Sequence, residues 1–590
     1  MNDSTDTAPR GDSRPRGLYV QWVVVAIAAV AAVSLGMHGF REYYRAANPP
    51  FSYMTLLYAA LQLFTMSSGA VPGVDLPWHL DVARFAAPLV LGYGVVLSVA
   101  TAFWQQLGDM RMRRRKNHTV VCGLGRKGMQ LVKDFRAAGE EVVVIQREDD
   151  TQHTSACSSL GAKVMLGDAT CAPLLQRAAV NQARRVIAVS GDDGVNAEIM
   201  LATQSLLPRK ATRPALFAHV VDVGLARFLG VRAAEELPRP RIINMYESAA
   251  RLLLWEHPLE HDLRNAQDER TVHLVLVGCG QMGEAVILQA AKIGHYINGK
   301  RLRVTAIDLA AARKEERLLG RYPNLREVCD VAFTEADIEH ASTLRMICER
   351  MSPASTISTV VLSLDNDARN LSLADALRGT SGYSDTPILI RASKKTGLAS
   401  LIHAGTGTAA TLGAFGFVDR ICSRAALLQE DLDALAKAIH EDFRRGEKGR
   451  RPDSDLSMKE WDVLNGTFQD SNRQQADHML VKLRAAGYGS PAEVQLDGGK
   501  RLDDRKEELA KMEHARWSAE RWLAGWRLGE QKDLDRKLSP HLKPWDQLAE
   551  EVRQYDRDTV TRIPMILKSA DGTKWSQWLE ENMKAPETQA

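Results

Sequence analysis

The sequence has almost no charge excess. Lysine and arginine number 76 against 73 aspartate and glutamate, a formal net charge of +3 over 590 residues. With so small a surplus, and no long basic stripe beyond one run at residues 111–116, nucleic acid is not an expected partner. Cysteine is scarce: seven thiols, no C-x-x-C pair and no Cys/His cluster. That argues against a disulfide framework, fits a reducing cytosol, and gives no reason to expect a metal. Long apolar runs are few, and charge is missing altogether from residues 85–104. What remains is 45% hydrophobic and 25% charged, enough to build real cores, over a length that suits about four domains.

The two apolar runs lie close to the N-terminus. Residues 18–40 follow a polar stretch carrying Arg10, Arg14 and Arg16, and residues 85–104 lead into the basic run. About 20 apolar residues span a bilayer. Basic residues before the first span and after the second put both ends on the cytoplasmic side of an inner (plasma) membrane. A cleaved signal peptide is the alternative for the first run, but a second span follows it. Between the spans, residues 53–64 are apolar and helical in pattern yet too short to cross, as in a re-entrant segment. They end in Thr65, Met66, Ser67, Ser68 and Gly69. Pro88, Gly92 and Gly94 in the second span form either a bend or packing contacts.

Span, short helix, loop and second span together resemble the two-helix potassium channel pore, whose filter reads Thr-Val-Gly-Tyr-Gly-Asp. Thr65 and Gly69 match its first and fifth places, while Met66, Ser67 and Ser68 do not. Closely spaced carbonyl rings use backbone angles that glycine adopts cheaply, so Ser67 implies weak discrimination between potassium and sodium. The alternative is an anchor with a packed outer loop and no conduction.

From residue 118 the pattern alternates strand and helix, which implies a parallel sheet covered on both faces. Residues 118–121 run into Gly123-Leu124-Gly125-Arg126-Lys127-Gly128, a G-x-G-x-x-G turn opening a helix. Such a turn lets phosphate approach a helix N-terminus. The turn recurs at Gly278-Cys279-Gly280-Gln281-Met282-Gly283 after residues 272–277. With the stretches VVCGLGRKG, VVVI, Gly167-Asp168-Ala169-Thr170 and residues 185–196, the two copies resemble RCK domains, regulators of potassium conductance. The resemblance implies a ribose-binding acid at the end of the second strand. The first copy has Gln146 there, with Asp168 on the next strand; the second copy has Asp308. It also implies NAD(H) or another adenine nucleotide as regulatory ligand, bound better by the second copy. An empty structural turn is the alternative for each. No catalytic base or hydride pocket is readable, so an enzyme is not expected.

After residue 421 the pattern turns helical. Leu435, His440 and Phe443 recur as Leu509, His514 and Trp517 at an offset of 74, and Trp461 and Arg473 recur as Trp545 and Arg557 at an offset of 84. Two helical halves are expected, with an insertion near residues 529–539 in the second. The string Glu513-His514-Ala515-Arg516-Trp517, with Gly525-Trp526 and Pro544-Trp545, resembles the ryanodine receptor (RyR) repeat domain. Trp461, Arg473, His514, Arg516, Trp517, Trp545 and Arg557 are the candidate contacts for a nucleotide-derived ligand, such as a cyclic nucleotide or an ADP-ribose derivative: indole faces suit a base and guanidinium forks suit phosphate. The alternative assigns the same residues to the core and to helix bridges.

The expected fold is thus an α-helical two-span membrane module (1–116), two tandem α/β Rossmann-like RCK domains (117–265 and 270–420), and an all-α RyR-type domain with an internal repeat (425–580). The expected function is a homotetrameric ligand-gated cation channel in the lipid bilayer. The rival is a non-conducting, membrane-anchored nucleotide sensor or stress or phage-defence effector.

Overall fold

The computed structural model describes residues 16–47, 50–67, 75–113, 115–148, 150–208, 214–232, 240–350, 355–379, 386–394, 412–428, 433–452, 454–533 and 535–570. The chain divides into two compact units, one essentially residues 1–116 and the other residues 117–590 with the short segment 176–179 excepted.

In the first unit a helix at Arg16–Ala47 and another at Trp78–Arg113 flank a short helix at Tyr53–Gln62. The stretches Val20–Ala46 and Trp78–Ala100 are long and apolar enough to cross a membrane, and only 11% of each most apolar window is buried inside the protein. Val20, Val24, Ile27 and Val30 on one span and Leu89, Val96 and Val99 on the other point outward. An apolar exterior of this length is stable against lipid and not against water. The inward faces pack Phe40, Tyr43, Leu56, Leu63, Leu80 and Ala83 into a small core. Small residues let the backbones close up: a Cβ on Gly39 would sit 2.7 Å from the Leu80 backbone nitrogen. The second span helix continues through Pro88.

The second unit contains two six-stranded parallel sheets. The first runs β1 (Thr119–Cys122), β2 (Val142–Gln146), β3 (Lys163–Leu166), β4 (Arg185–Ala188), β5 (Ala215–His219) and β6 (Pro240–Ile243), in the order β3-β2-β1-β4-β5-β6. The second repeats the order with β7 (Thr271–Val277), β8 (Arg303–Asp308), β9 (Asp330–Glu335), β10 (Thr356–Leu362), β11 (Ile388–Arg391) and β12 (Leu412–Phe415). A parallel sheet buried on both faces needs strands that are apolar throughout. In β7, Leu274 and Leu276 enter one core and Val275 and Val277 the other. The sequence pattern did not reveal the edge strands β6, β9 or β12. β6 and β12 have four residues each, β9 has six, and β6 opens on Pro240, which an edge tolerates because it needs no inward N–H there. The helix after β6, Met245–Glu256, was also missed; Asn244 caps it by accepting from the backbone N–H of Tyr246 and Glu247.

The remainder is helical, chiefly Ala434–Glu447, Gly466–Ala485, Lys506–Leu523 and Glu550–Thr561. It shares one continuous core with the sheets, from Val121 to Ala570. A buried ionic junction reinforces this. The Arg251 guanidinium forks onto Asp477 with two bonds of 2.8 Å, and Trp255 Nε1 and Gln289 Nε2 donate to the same carboxylate at 3.1 and 2.8 Å. Buried charges are tolerated only when paired and bonded in this way. Near residues 529–539, where an insertion was expected, Arg527–Leu528 and Leu538–Ser539 pair as two short parallel strands.

Candidate functional site

The two Rossmann turns are built alike. Gly123 holds φ +104° and Gly278 φ +91°, left-handed angles that a side chain resists. A Cβ on Gly128 would lie 1.9 Å from the Gly123 carbonyl oxygen, and one on Gly283 2.1 Å from that of Gly278, so the helix start packs directly on the turn. Gly125 and Gly280 differ: among the described residues nothing lies within 4 Å of where their Cβ would be. The third glycines close the turn, whereas the middle ones leave open space at the N-termini of the helices Arg126–Ala137 and Gln281–Ile293, where backbone N–H groups favour an anion.

Gln146 and Asp308 occupy the same position and do the same local job. Leu124 N–H donates to Gln146 Oε1 at 2.8 Å, and Cys279 N–H donates to Asp308 Oδ2 at 2.7 Å. Asp308 Oδ1 also accepts from Ala310 N–H at 2.9 Å. The electrostatic difference persists, since only Asp308 brings a negative charge to the rim of its turn. Asp168 sits at the end of β3, where Arg147 donates to it at 2.7 Å and Thr170 donates twice, from N–H at 2.9 Å and Oγ1 at 2.7 Å. The Thr170 donors, with Arg147 behind them, hold its carboxyl at about 2.

Sequence reasoning did not single out the residues that fix the far wall of each cleft. Asn196 Nδ2 bridges the carbonyls of Ser190 and His219 at 3.2 and 2.8 Å, and Asn370 Nδ2 bridges those of Leu364 and Arg391 at 3.0 Å each. Asp193 Oδ2 accepts from Val221 and Asp222 N–H, and Asp367 Oδ2 from Ser393 N–H. The available signal was a D-x-x-N spacing after the fourth strand of both copies. In the first copy Lys127 Nζ lies 2.5 Å from His219 Nε2 and 4.8 Å from the Tyr246 ring centroid. Burial, with the lysine beside it, pushes His219 down to about 4, so the imidazole is neutral and accepts from the ammonium.

In the helical region the candidate ligand residues fall into two sets with matching contacts. His440 Nε2 bonds the Lys459 carbonyl at 2.7 Å, and His514 Nε2 that of Lys543 at 2.8 Å. The Arg473 guanidinium lies 5.7 Å from the Trp461 ring and Arg557 5.8 Å from Trp545. Arg473 bonds Asp433 and Asp470, and Arg557 bonds Glu507 and Glu550. Trp545 is buried, and its Nε1 donates to Glu507 at 3.1 Å. Arg516 is buried between Glu513 and Glu520, while Trp461 and Trp517 remain partly exposed. A phosphate at either arginine would compete with carboxylates already in place.

In the membrane unit, Thr65 Oγ1 donates to the Gln62 carbonyl at 2.8 Å, Met66 takes φ +62° and is 82% exposed, and Ser67 N–H donates to the Gln62 carbonyl at 3.2 Å. Ser68 and Gly69 lie outside the described residues.

Comparison with known proteins agrees with this layout. Residues 119–229 match the TrkA-N domain and residues 492–571 the RyR domain. Potassium channel protein 1 of Methanocaldococcus jannaschii is 25% identical over 122 residues, which is 20% of this chain and 37% of that protein. The voltage-gated potassium channel Kch of Escherichia coli is 27% identical over 101 residues, 17% of this chain and 24% of that one. The matches therefore span between a fifth and two-fifths of the relatives' lengths. Among solved structures, GsuK bound to ADP covers 71% of this chain and 97% of its own at 18% identity and a TM-score of 0.38. GsuK bound to NAD covers 70% and 86% at 15% identity and a TM-score of 0.37. These comparisons place a TrkA-N domain and an RyR domain in one chain that is similar, over part of its length, to potassium channels. This chain joins two membrane-capable helices, a TrkA-N domain, a second sheet of identical strand order and an RyR domain.

Proposed function

We propose that the protein is a ligand-gated cation channel-like membrane protein, regulated by an adenine nucleotide at its Rossmann turns and by a second, nucleotide-derived ligand on its RyR-type region. The observation that carries the reading is the order of parts: two membrane-capable helices around a short apolar helix, then a TrkA-N domain with an open middle glycine. In this account four subunits surround one pore in the inner membrane, with both termini cytoplasmic, and the Rossmann domains regulate without catalysing. The second turn is the stronger nucleotide site, because Asp308 adds a charged acceptor that Gln146 lacks. A nucleotide gates only if it binds one state of the assembly better than another.

The non-conducting sensor is retained as a second reading because of Thr65 and Met66. The Thr65 hydroxyl is turned back onto its own helix, and a methionine stands where a carbonyl-ring filter has small or β-branched residues. Recording from the purified chain in planar bilayers, with ADP, ATP, NAD and NADH on the cytoplasmic side, separates the two. Unitary currents with weak preference between potassium and sodium support the channel. Nucleotide binding without current at any potential supports the sensor.

A further inference from the structure

We propose that the membrane unit carries a divalent transition-metal site, of the zinc class, formed by His38, Glu42 and His79. His38 and Glu42 lie one turn apart near the end of the first span helix, and His79 is the second residue of the other. His79 Nδ1 lies 3.3 Å from Glu42 Oε2, and His38 Nε2 lies 3.8 Å from Glu42 Oε1. All three ligand atoms fall within 4.8 Å of one another. The two imidazoles meet edge to face at 4.9 Å.

Three features distinguish this set from a chance surface cluster. His79 is only 21% exposed, and its Nδ1 is buried without completing a hydrogen bond to any of the described residues. A buried polar atom left in that state is costly unless something else occupies it. The Trp78 ring packs against the His79 ring at 4.1 Å and limits its rotation. The close approach of Gly39 to Leu80 holds the two helices together just beside the three side chains.

The donor set selects the metal class. Two neutral imidazoles and one carboxylate suit zinc and its neighbours, whereas magnesium and calcium prefer oxygen throughout. Metal–ligand distances of about 2.0–2.1 Å put tetrahedral ligands about 3.4 Å apart. Small rotamer changes on the two exposed side chains, His38 and Glu42, bring the set to that spacing. Three protein ligands leave a fourth position for water. A bound ion would tie the first span to the second at the end opposite the basic run. The scarcity of thiols concealed this possibility in the sequence, because the third ligand comes from another helix beyond the short one.

The test is independent of conduction. The full chain, without a histidine tag, is purified in detergent and titrated with zinc against a chromophoric chelator, and with cobalt followed by visible absorption. The wild type should bind one ion per chain and show the intense bands of four-coordinate cobalt. His79→Ala, His38→Ala and Glu42→Gln should each weaken binding at least 10-fold and lose those bands. Zinc should raise the melting temperature of the wild type and not of the variants, whose metal-free melting should match the wild type. Equal zinc stoichiometry and affinity in wild type and variants, or no saturable binding in the wild type, would overturn the proposal.

Discussion

At the scale of single residues the glycines of the two turns separate architecture from ligand contact. Gly128→Ala would place a Cβ against the Gly123 carbonyl oxygen, so the first Rossmann domain should lose cooperative folding or melt far earlier in a thermal scan. Gly280→Val points into open space instead. It should leave the melting temperature within a few degrees of wild type and abolish nucleotide binding by the second copy in calorimetry. Asp308→Asn keeps the bond from Cys279 N–H but removes the charge. The expected result is intact folding with roughly 10-fold weaker adenine nucleotide binding, the loss of about 1.4 kcal/mol. Unchanged affinity in both variants would move the nucleotide to the first copy. The glycines and Asp308 were readable in the sequence because a turn of this kind fixes residue type at fixed spacing. Asn196 and Asn370 were not, since their role depends on carbonyls that the fold brings in from distant strands.

At the scale of elements the informative feature is the ionic junction between the helix Met245–Glu256 and the helix Gly466–Ala485. Removing one partner leaves the other buried and uncompensated, which typically costs 3–5 kcal/mol. Asp477→Ala should therefore destabilise the whole second unit by about that amount in chemical unfolding, although it lies in the helical region. A loss confined to that region would contradict the shared core. Acid should weaken the same unit. Burial pushes His219 and His257 down to about 4 and His295 to about 3, all below the ordinary 6.5. The folded state keeps these rings neutral while the unfolded chain takes up protons first. Their contribution is complete above pH 7 and is lost as pH falls from about 6.5 toward 3. Buried Asp556, whose carboxyl is raised, opposes the trend. The net expectation is a fall in melting temperature between pH 7 and pH 5, on the order of a few kcal/mol overall. A flat profile would contradict the burial of these rings. Most interior strands announced themselves as apolar runs. The edge strands β6, β9 and β12 did not, because an edge strand needs no continuous apolar run: β6 opens on Pro240 and β9 turns Asp330, Ala332 and Glu335 outward.

At the scale of the whole chain, the helical region shares its core with the Rossmann domains. This changes how a ligand there would act. Arg251, Asp433 and Asp477, all buried, and the half-buried Arg473 form one chain of charges from the helix after β6 to the Trp461 ring. A ligand anion that competed for Arg473 would release Asp433 and disturb the junction directly. These partners were not visible in the sequence, where Arg473 read as a candidate phosphate contact or, in the alternative, a helix bridge. The change from strand–helix alternation to an all-helical region was legible because the two have different periodicities. The junctions were not, because they are built from single side chains far apart in the chain.

The most direct measurement of the central claim is single-channel recording of the full chain in planar bilayers, wild type beside Gly280→Val, with ADP or NAD added to each face in turn. The account predicts unitary currents in both, an open probability that responds to nucleotide in the wild type, and no response in the variant. Absence of unitary current in wild type under every nucleotide, or an equal response in Gly280→Val, would contradict it.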